Sequence, residues 1–423
     1  MFVMFSKPSF LIVLLLLALP YRGNAEEIGA LPPPPLPAAS DGINAGVLIN
    51  SFNAAEYRSL IIPEMYPQIR SRQLELDAVS ALRVSPQATV EDDSLSPETT
   101  ASKKSAEDIL SEAYSLYANH KLFSAEVNLI FLKDGRLHRE LTGEFIRAYP
   151  KLLNPEDKSI QYFRELLRFK NPSFLSGFNL LTFRFHSEEE DMLWMSSPAI
   201  KKVIQLTGSN RADPVLGSAV SLDDFFAWSG KPESVEAVLD KEITALVPFS
   251  SLYVESLNPD SGDCFIYETG KSLHNRNKLL WNYQTQRFPD ALPWVPSSAV
   301  FVPRKLVRLE LIAKDPFSIY GRQILYIDST TSVVFYKYVY DRSGYRLKSV
   351  YHFPLQLSYK SGAESFIFTD YLVANNDKSG QASIVNFDKI KFCRAFNQEI
   401  ALKDFDPANL IQPASAAKEE KKN

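Results

Sequence analysis

The sequence predicts an α+β protein in which one large antiparallel β-sheet outweighs a few helices. Aromatic residues make up 12% of the 423 residues, with Phe and Tyr far ahead of Trp, and aromatic side chains favour strands. Beyond residue 172, short apolar runs alternate with turn residues such as Asp, Ser and Gly, which is typical of consecutive hairpins. Segments with helical periodicity precede that point.

Residues 1–25 have the order of a secretory signal peptide. Lys7 precedes an unbroken apolar run from Phe10 to Leu19, and small residues lead up to a cleavage site between Ala25 and Glu26. The run is shorter than the roughly 20 apolar residues that a membrane span requires. We therefore expect export from the cytoplasm without a stable membrane anchor.

The two cysteines bear on both anchoring and redox state. Cys264 and Cys393 lie far from the cleavage site, so a lipid anchor on an N-terminal cysteine is not expected. In an oxidising compartment they can form one disulfide or remain two buried thiols. The sequence leaves both alternatives open, because pairing depends on a spatial approach that it does not show.

The charge of the chain argues against some classes of partner. The formal net charge is −4, and removal of a signal peptide that contains Lys7 and Arg22 would make the chain more acidic. Nucleic acids and anionic membrane surfaces attract basic proteins, so we expect neither as a partner.

Composition divides the exported chain into regions. Residues 26–42 contain a run of prolines and are expected to form an extended, flexible leader. Residues 43–411 are expected to form the β domain. Within that domain, residues 85–104 are rich in Ser, Thr, Pro and acidic residues and are predicted to be a mobile or disordered insertion. Residues 412–423 are predicted to be a disordered tail.

Three helices are predicted. A short one falls at residues 53–60. Ser105 caps a second helix, in which Asp108 completes a capping box. A third is expected from Asn154 to Asn171, because apolar residues recur there at helical spacing. Those apolar residues are Ile160, Phe163, Leu166 and Leu167.

Period-two alternation predicts the strands. They are expected at residues 178–185, 191–195, 305–313, 323–328, 332–340, 345–353, 364–373 and 381–393. In the segment 332–340, Tyr336 and Tyr338 share one face while Phe335 and Val339 share the other. A sheet that is apolar on both faces is either covered by helices or curved around something.

The sequence has no recognisable catalytic or metal-binding motif. Its five histidines are not at ligand spacing with another His, Cys or acid, so we expect structural or surface histidines. The acidic run at 188–191 lacks the spaced ligands and turn glycine of a calcium loop and is expected to be a solvated hairpin tip. We expect neither enzymatic activity nor a cofactor, although a triad built from distant residues would escape this search.

Residues 191–224 resemble the signature of an uncharacterised periplasmic family labelled outer-membrane lipoprotein-sorting proteins. The pattern is a strand with Trp194, a proline turn, a basic strand, then Arg211-x-Asp213-Pro, a glycine and the acidic pair Asp223-Asp224. The segments 47–63 and 303–345 also match, so the resemblance covers most of the chain. It departs from the family at 85–104 and in the weakly matched region 259–296.

The resemblance carries implications for fold, place and partners. The family is related at the level of fold to the LolA and LolB lipoprotein carriers, which implies a strongly curved half-barrel sheet wrapping a few helices. It also implies a hydrophobic cavity between sheet and helices, and a location in the periplasm. The implied partners are an apolar or acylated ligand, an inner-membrane exporter and an outer-membrane acceptor.

The same match supplies candidate ligand-binding residues. They are Trp194, Arg211, Asp213, Phe225, Phe226, Trp228 and Tyr336. The three aromatic residues after the acidic pair either line the cavity mouth or pack in the core. The arginine and the first aspartate either hold a lipid head group or phosphate, or form an internal ion pair that fixes the loop. The mid-strand tryptophan is core or cavity wall.

Three functions remain in competition. The resemblance favours a periplasmic carrier for a lipid, lipoprotein or other apolar ligand that moves between the two membranes. A non-enzymatic scaffold subunit of an envelope export system would use the same sheet with a filled interior. A hydrolase would need a Ser or Asp within reach of a His.

Overall fold

A computed structural model describes most of the chain that follows the predicted insertion. The described residues are 62, 64, 104–118, 120–150, 161–186, 189–251, 254–268, 300–359, 365–394 and 403–411. The predicted signal peptide, leader, first helix and tail lie outside the described residues, as does the insertion apart from Lys104. Within the described part, no helix has the length and apolar content needed to cross a membrane.

Helix α1 spans Ala106–Ser115 and begins where the sequence predicts. The Asp108 N–H donates to Ser105 Oγ at 3.1 Å, and the Ser105 N–H donates to Asp108 Oδ2 at 3.2 Å. These bonds satisfy donors that the first turn of a helix leaves without intrahelical partners. Leu110 and Ala113 are buried against the sheet.

Fifteen strands, counted over the described residues, form one sheet. Their bounds are β1 Leu122–Lys133, β2 Arg136–Ala148, β3 Gln161–Asn171, β4 Asn179–Phe185, β5 Met192–Ser197, β6 Lys202–Thr207, β7 Val235–Phe249, β8 Val254–Pro259, β9 Cys264–Tyr267, β10 Val300–Ala313, β11 Arg322–Asp328, β12 Val334–Tyr340, β13 Arg346–Tyr359, β14 Ser365–Asn376 and β15 Gln381–Cys393. Every strand predicted beyond residue 172 is present, with its ends shifted by a few residues or, for β13, extended.

The strand order runs β6-β5-β4-β3-β2-β1-β15, continues through β14 to β13, and ends β12-β11-β10-β7. The pairings are antiparallel except for the short parallel contact between β13 and β8. The chain therefore builds the sheet mainly from consecutive hairpins, as the turn residues predict.

The sheet is strongly curved. Contacts between elements that are far apart in the strand order show this curvature. The hydroxyl of Tyr320, between β10 and β11, donates to Ala212 O at 2.9 Å, although Ala212 follows the opposite edge strand β6. Lys231, just before the other edge strand β7, lies 3.7 Å from Asp191 beside β5. Accumulated twist over many strands produces this closure. The predicted half-barrel is confirmed.

The inside of the half-barrel is filled by its own chain. We call residues 208–234, which connect β6 to β7, the crossing segment. Its Phe225, Phe226 and Trp228 are 2%, 2% and 3% exposed. Phe226 packs between Phe123 of β1 and Phe387 of β15, with ring centroids 5.8 and 6.2 Å away. Together with α1, the crossing segment occupies the space that the curved sheet surrounds.

A second apolar layer lies on the outer face of the sheet. Along β1, Leu129 and Phe131 belong to the interior cluster, whereas Ile130 and Leu132 belong to a separate outer cluster with Tyr336. The prediction that the sheet is apolar on both faces is therefore confirmed. Of the two physical reasons, curvature applies, because the sheet bends around α1 and the crossing segment.

Five strands in the middle of the strand order close into a small ring. β13 pairs with β14, β14 with β15, β15 with β9, β9 with β8, and β8 returns to β13. Cys264 of β9 and Cys393 of β15 face each other in this register and are joined by a disulfide. Of the two alternatives left open by the sequence, the structure has the bridge.

The predicted helix from Asn154 to Asn171 is wrong in the part that the structure describes. Residues 161–171 form β3, while 154–160 lie outside the described residues. Phe163 and Leu167 point into the interior cluster and Leu166 into a cluster on the opposite face. A strand that is buried on both faces has apolar residues at mixed spacings, which imitate a helical stripe.

The sequence analysis also assigned no strands to residues 122–148, which form the long hairpin β1–β2. Its turn is Asp134-Gly135, and both residues have positive φ, 50° and 72°. Asp-Gly is the strongest short-range hairpin signal for this geometry, so this part of the fold was accessible from the sequence.

Candidate functional site

A pocket of about 440 Å³ opens at the end of the five-strand ring. Its lining residues are His120, Lys121, Tyr359, Ser365, Phe366, Cys393 and Arg394. They come from the start of β1, the end of β13, the start of β14 and the end of β15, so the site exists only because these four strand ends meet. Small-molecule pockets typically have volumes of about 300 to 1,000 Å³.

Strand pairing and the disulfide set the positions of these groups. Leu122, next to Lys121, is paired with Cys393, and Cys393 is bonded to Cys264. The Lys121 carbonyl accepts from the Tyr149 N–H at 3.0 Å, and the Arg394 N–H donates to Asp263 O at 3.0 Å. Strand pairing, the disulfide and these backbone hydrogen bonds therefore fix the main chain around the pocket.

Aromatic rings form the inner wall of the pocket. The His120 ring lies 4.5 Å from the rings of both Phe366 and Phe392, and Phe392 belongs to the interior cluster. Burial lowers the pKa of His120 to about 4, and the nearby Arg394 charge adds to this effect. His120 is therefore neutral at pH 7 and shares a hydrogen bond with Tyr359 Oη at 3.3 Å.

Two cationic side chains contribute to the pocket lining. The Arg394 guanidinium lies 4.0 Å from the centroid of the Tyr359 ring and 5.5 Å from that of Phe265. Cation–π stacking of this kind holds a guanidinium over an aromatic surface. Lys121 supplies the second positive charge, and the described lining residues include no carboxylate.

The aromatic candidates from the crossing segment lie deep in the half-barrel. Phe225, Phe226 and Trp228 are packed by sheet residues and α1 and do not line the pocket. Of the two alternatives that the sequence left open, core packing describes their surroundings. A part in ligand binding stays a prediction for them.

Arg211 has different partners from the one expected. Its Nη1 donates to Glu165 Oε1 at 3.1 Å and its Nε to Asp223 Oδ1 at 2.9 Å, and all of Arg211 is buried. Asp213 is exposed and accepts instead from Asn210 Nδ2 at 2.7 Å. The expected Arg211–Asp213 pair is therefore wrong, because the short 3₁₀ turn that contains Arg211 directs it inward and leaves Asp213 in solvent.

Glu165 is the centre of this buried network. It also pairs with Arg147, whose guanidinium lies 4.2 Å from the Phe163 ring centroid. Burial alone would raise the pKa of Glu165, but Arg147 and Arg211 hold it below its usual range. Two guanidinium groups thus neutralise the buried Glu165 carboxylate, which is the arrangement of a structural ion-pair network.

Asp224 forms a second buried ionic centre. Lys337 Nζ of β12 lies 2.9 Å from Asp224 Oδ1, and Lys348 Nζ of β13 lies 2.6 Å from Asp224 Oδ2. Burial opposes ionisation, yet the two ammonium groups lower the pKa of Asp224 far below its usual range. This centre fastens the crossing segment to the sheet.

The two remaining candidates lie on the outer side of the sheet. Trp194 is half-buried and packs on Phe183, with ring centroids 4.9 Å apart. Tyr336 is fully buried, and its hydroxyl donates to Leu246 O at 2.5 Å. Neither lines the pocket, and their part in ligand binding also stays a prediction.

The histidines place limits on the hydrolase interpretation. His352 is fully buried; its Nε2 is 2.9 Å from Thr369 Oγ1 and its Nδ1 is 2.7 Å from Val334 O. Thr369 is fully buried as well, so this pair is closed off from substrate. Among the described residues, no group of three or more His, Cys, Asp or Glu is placed to hold a metal ion.

Sequence reasoning missed most of the pocket lining. Cys393 was singled out for a disulfide and His120 only as one histidine among five. Lys121, Tyr359, Ser365, Phe366 and Arg394 belong to no motif. A signal was present only in the strand boundaries, since each of these residues lies at or next to the end of a strand.

The fold and the site define a class of protein: a curved, mainly antiparallel sheet that encloses a helix and a connecting segment and carries a pocket at the end of a strand ring. Residues 104–410 match the family model described as "Protein of unknown function (DUF1329)". The chain belongs to this family. No curated protein matches the sequence.

Three solved structures are similar to the chain. An outer membrane lipoprotein-sorting protein domain from Vibrio parahaemolyticus has 15% identity, a TM-score of 0.49, and coverage of 72% of this chain and 98% of its own. A DUF1329 family protein from Desulfovibrio piger has 12% identity, a TM-score of 0.47 and coverage of 72% and 97%. A LolA superfamily protein from Nitrosomonas europaea has 14% identity and a TM-score of 0.42, and the match covers 71% of this chain and 99% of that protein.

Proposed function

We propose that this protein is a periplasmic binding or carrier protein for a lipid, lipoprotein or other apolar ligand that moves between the inner and outer membranes. The observation that carries the proposal is the pocket of about 440 Å³ at the end of the strand ring, with an aromatic wall that continues into the interior cluster. An apolar ligand would extend that cluster and leave water behind.

The pocket fits reversible binding better than it fits catalysis. Its histidine is neutral at pH 7 and is packed between two phenylalanine rings. Ser365, also in the lining, accepts a hydrogen bond from Gln356 Nε2 at 3.0 Å. The pocket thus offers surfaces, a few polar groups and positive charge, which are the requirements of a binding site.

The route of the ligand is the remaining part of the proposal. The signal-peptide pattern of residues 1–25 supports export, and the acidic chain has no expected affinity for anionic membrane surfaces as a whole. An inner-membrane exporter and an outer-membrane acceptor are the proposed partners. A carrier in the aqueous space between them would shield apolar cargo from water.

The proposal is tested by native mass spectrometry of the protein purified from the periplasm without detergent. We expect adducts of lipid mass that disappear after extraction with organic solvent. Protein that is empty in repeated preparations, and that also fails to bind an apolar fluorescent probe, would refute ligand carriage.

A second candidate function is an interaction scaffold in an envelope export system. The filled half-barrel favours it, because the space that the sheet encloses is already occupied by Phe225, Phe226 and Trp228. Two adjacent loops also expose apolar side chains: Phe317 is 90% exposed and Tyr345 70%. An empty pocket in the mass spectra together with co-purification of an envelope protein would favour the scaffold over the carrier.

A further inference from the structure

We propose that three adjacent hairpin turns form a surface by which the protein docks reversibly on an anionic lipid membrane. The turns join β10 to β11 (residues 314–321), β12 to β13 (341–345) and β14 to β15 (377–380), and we call them together the turn surface. The inference goes beyond the proposed function, because it does not depend on whether the pocket holds a ligand.

The three turns lie side by side at one edge of the sheet. The Gly321 N–H donates to Tyr340 O at 2.9 Å, which holds the first turn beside the second. A Cβ at Gly321 would lie 2.7 Å from the Arg342 Cα, so this close approach requires glycine. Lys378 Nζ of the third turn lies 4.0 Å from Asp341 Oδ2 of the second. The turns therefore present one continuous surface.

Large apolar side chains on this surface are exposed to water. Phe317 is 90% exposed, Tyr345 70% and Ile319 53%. Ile312, near the end of β10 and just before the first turn, is 41% exposed. Clustered apolar side chains on a protein surface mark sites of contact with another protein or with a membrane.

Hydrogen bonds fix the turns that carry the two aromatic side chains. Asp315 Oδ1 accepts from the Phe317 N–H at 2.8 Å, and Asp341 Oδ1 accepts from the Tyr345 N–H at 2.9 Å. Arg342 Nη2 donates to Asp315 O at 2.6 Å and ties the first turn to the second. The aromatic side chains are thus held outward by a defined main-chain conformation, so little freedom of the main chain is lost on docking.

The local charge of the turn surface differs from the charge of the whole chain. Each turn carries one exposed basic residue, and these are Lys314, Arg342 and Lys378. Over the three turns and the first residue of the strand that follows each, basic residues outnumber acidic ones by five to three, whereas the chain as a whole has a net charge of −4. Attraction to an anionic surface depends on the local charge at the site of contact, because salt screens more distant charges.

The acids of the same turns are engaged locally. Two of them accept hydrogen bonds from the main chain of their own turns, and the third pairs with Arg346 at 3.0 Å; they are Asp315, Asp341 and Asp377. Arg342 donates instead to the uncharged main-chain carbonyl of Asp315. The basic side chains are therefore the exposed charged groups that flank Phe317 and Tyr345.

This combination of side chains favours a membrane over a protein partner. Aromatic side chains are stable at the boundary between lipid head groups and acyl chains, and neighbouring lysines are attracted to anionic head groups. Protein interfaces are also enriched in aromatic residues, but they are depleted in lysine. Lys314 and Lys378 therefore distinguish this inference from the scaffold alternative, which uses the same exposed aromatic side chains.

The test is co-sedimentation of the full exported protein with protein-free vesicles of phosphatidylglycerol and phosphatidylethanolamine. We expect binding that weakens at high salt. The double variant Phe317→Ser, Tyr345→Ser should bind at least about tenfold more weakly, and Lys314→Gln, Lys378→Gln should show a similar loss. All four side chains are exposed, so thermal unfolding should show that both variants remain folded.

Two matched controls lie outside the turn surface. Phe174→Ser removes a phenylalanine that is 73% exposed in the loop before β4, and it should leave vesicle binding unchanged. Lys201→Gln, Lys202→Gln removes two exposed lysines between β5 and β6 and should have a much smaller effect than the loss of Lys314 and Lys378.

Three results would overturn the inference. They are no binding to the vesicles, equal binding by the wild type and the aromatic variant, and equal binding by the wild type and the Lys314 and Lys378 variant. Binding to native envelope membranes without binding to protein-free vesicles would also overturn it and would assign the surface to a protein partner. Lipid adducts in native mass spectra report on the pocket separately, so failure of docking is distinguishable from failure of the carrier proposal.

Discussion

Buried charged residues in the half-barrel are stabilised by ion pairs with one another. Arg211 reaches Glu165 and Asp223 from within the interior, and Glu165 is shared with Arg147. Removing one member leaves the others charged and without their partner in a low-dielectric space, which is far more costly than the loss of a surface pair. Asp213, two residues further along, makes only an exposed contact.

These surroundings predict a large loss of stability for a substitution at one position and almost none for a substitution two residues away. Arg211→Ala should lower the free energy of unfolding by about 3–5 kcal/mol, because it leaves Glu165 and Asp223 unpaired. Asp213→Ala, the matched control, should change it by less than about 0.5 kcal/mol. Urea titrations followed by tryptophan fluorescence measure both; equal losses would contradict the assignment of Arg211 to the buried network.

Asp370 of β14 is the residue whose ionisation should couple most directly to folding near neutral pH. Burial raises its pKa to about 7; a hydrogen bond with Ser250 opposes this rise, and the charges of Asp388 and Glu255 add to it. One carboxylate oxygen of Asp370 has no hydrogen-bond partner in the described structure. The folded protein therefore holds the proton of Asp370 at pH values where the unfolded chain has released it.

The sign of the pH effect follows from proton linkage. Between about pH 4 and pH 7 the folded state binds more protons at Asp370 than the unfolded state, so the stability contributed by this group falls as pH rises through that window. The substitution Asp370→Asn removes this contribution to the dependence of stability on pH. The stability of the wild type relative to this variant should drop by up to about 4 kcal/mol between pH 4 and pH 8.

Urea titrations of both proteins across that range provide the measurement. His120 and His352 have pKa values lowered to about 4 and act in the opposite direction, gaining stability as pH rises from 4 to 6.5. Both histidines are present in wild type and variant, so their effects cancel in the difference. A difference that is independent of pH would show that Asp370 titrates normally.

At the scale of elements, the disulfide closes the five-strand ring by joining β9 to β15. The two cysteines are 129 residues apart in sequence, so the bridge restricts a long loop of the unfolded chain. Losing it should lower the free energy of unfolding by about 2–5 kcal/mol.

A cycle of variants tests the bridge. Cys264→Ser, Cys393→Ser and the double variant should all lose the same stability in denaturant titrations, because each removes one and the same bond. The reduced wild type should behave like the variants. Losses that add in the double variant would show two independent thiols instead of a bridge.

Elements also show what the sequence could predict. The capping box at Ser105 and the alternating strands beyond residue 172 were predictable because local chemistry decides them. β3 was mistaken for a helix because its Phe163, Leu166 and Leu167 are buried on two opposite faces, which destroys the period-two signal. That second buried face depends on strands distant in sequence, and local spacing carries no information about it.

At the scale of the whole molecule, the family resemblance implied both the curvature of the sheet and a hydrophobic cavity between the sheet and its helices. The curvature is present, but the crossing segment packs where the cavity was expected. The interior is filled by the crossing segment, and the pocket lies at the ring formed by β8, β9, β13, β14 and β15. Strand order and closure are long-range properties, so the meeting of Lys121, Phe366 and Arg394 could not be derived from sequence spacing. The acidic pair Asp223-Asp224 was noticed, yet its partners Arg211, Lys337 and Lys348 appear only after folding.

The position of a bound ligand tests the carrier proposal most directly. Crystals grown with a bromine-labelled fatty acid would locate the bromine by anomalous diffraction. We predict a bromine peak beside Phe366 in the pocket. Bromine beside Phe226 in the interior, on the outer face of the sheet, or nowhere on the protein would contradict the assignment of the pocket as the ligand site.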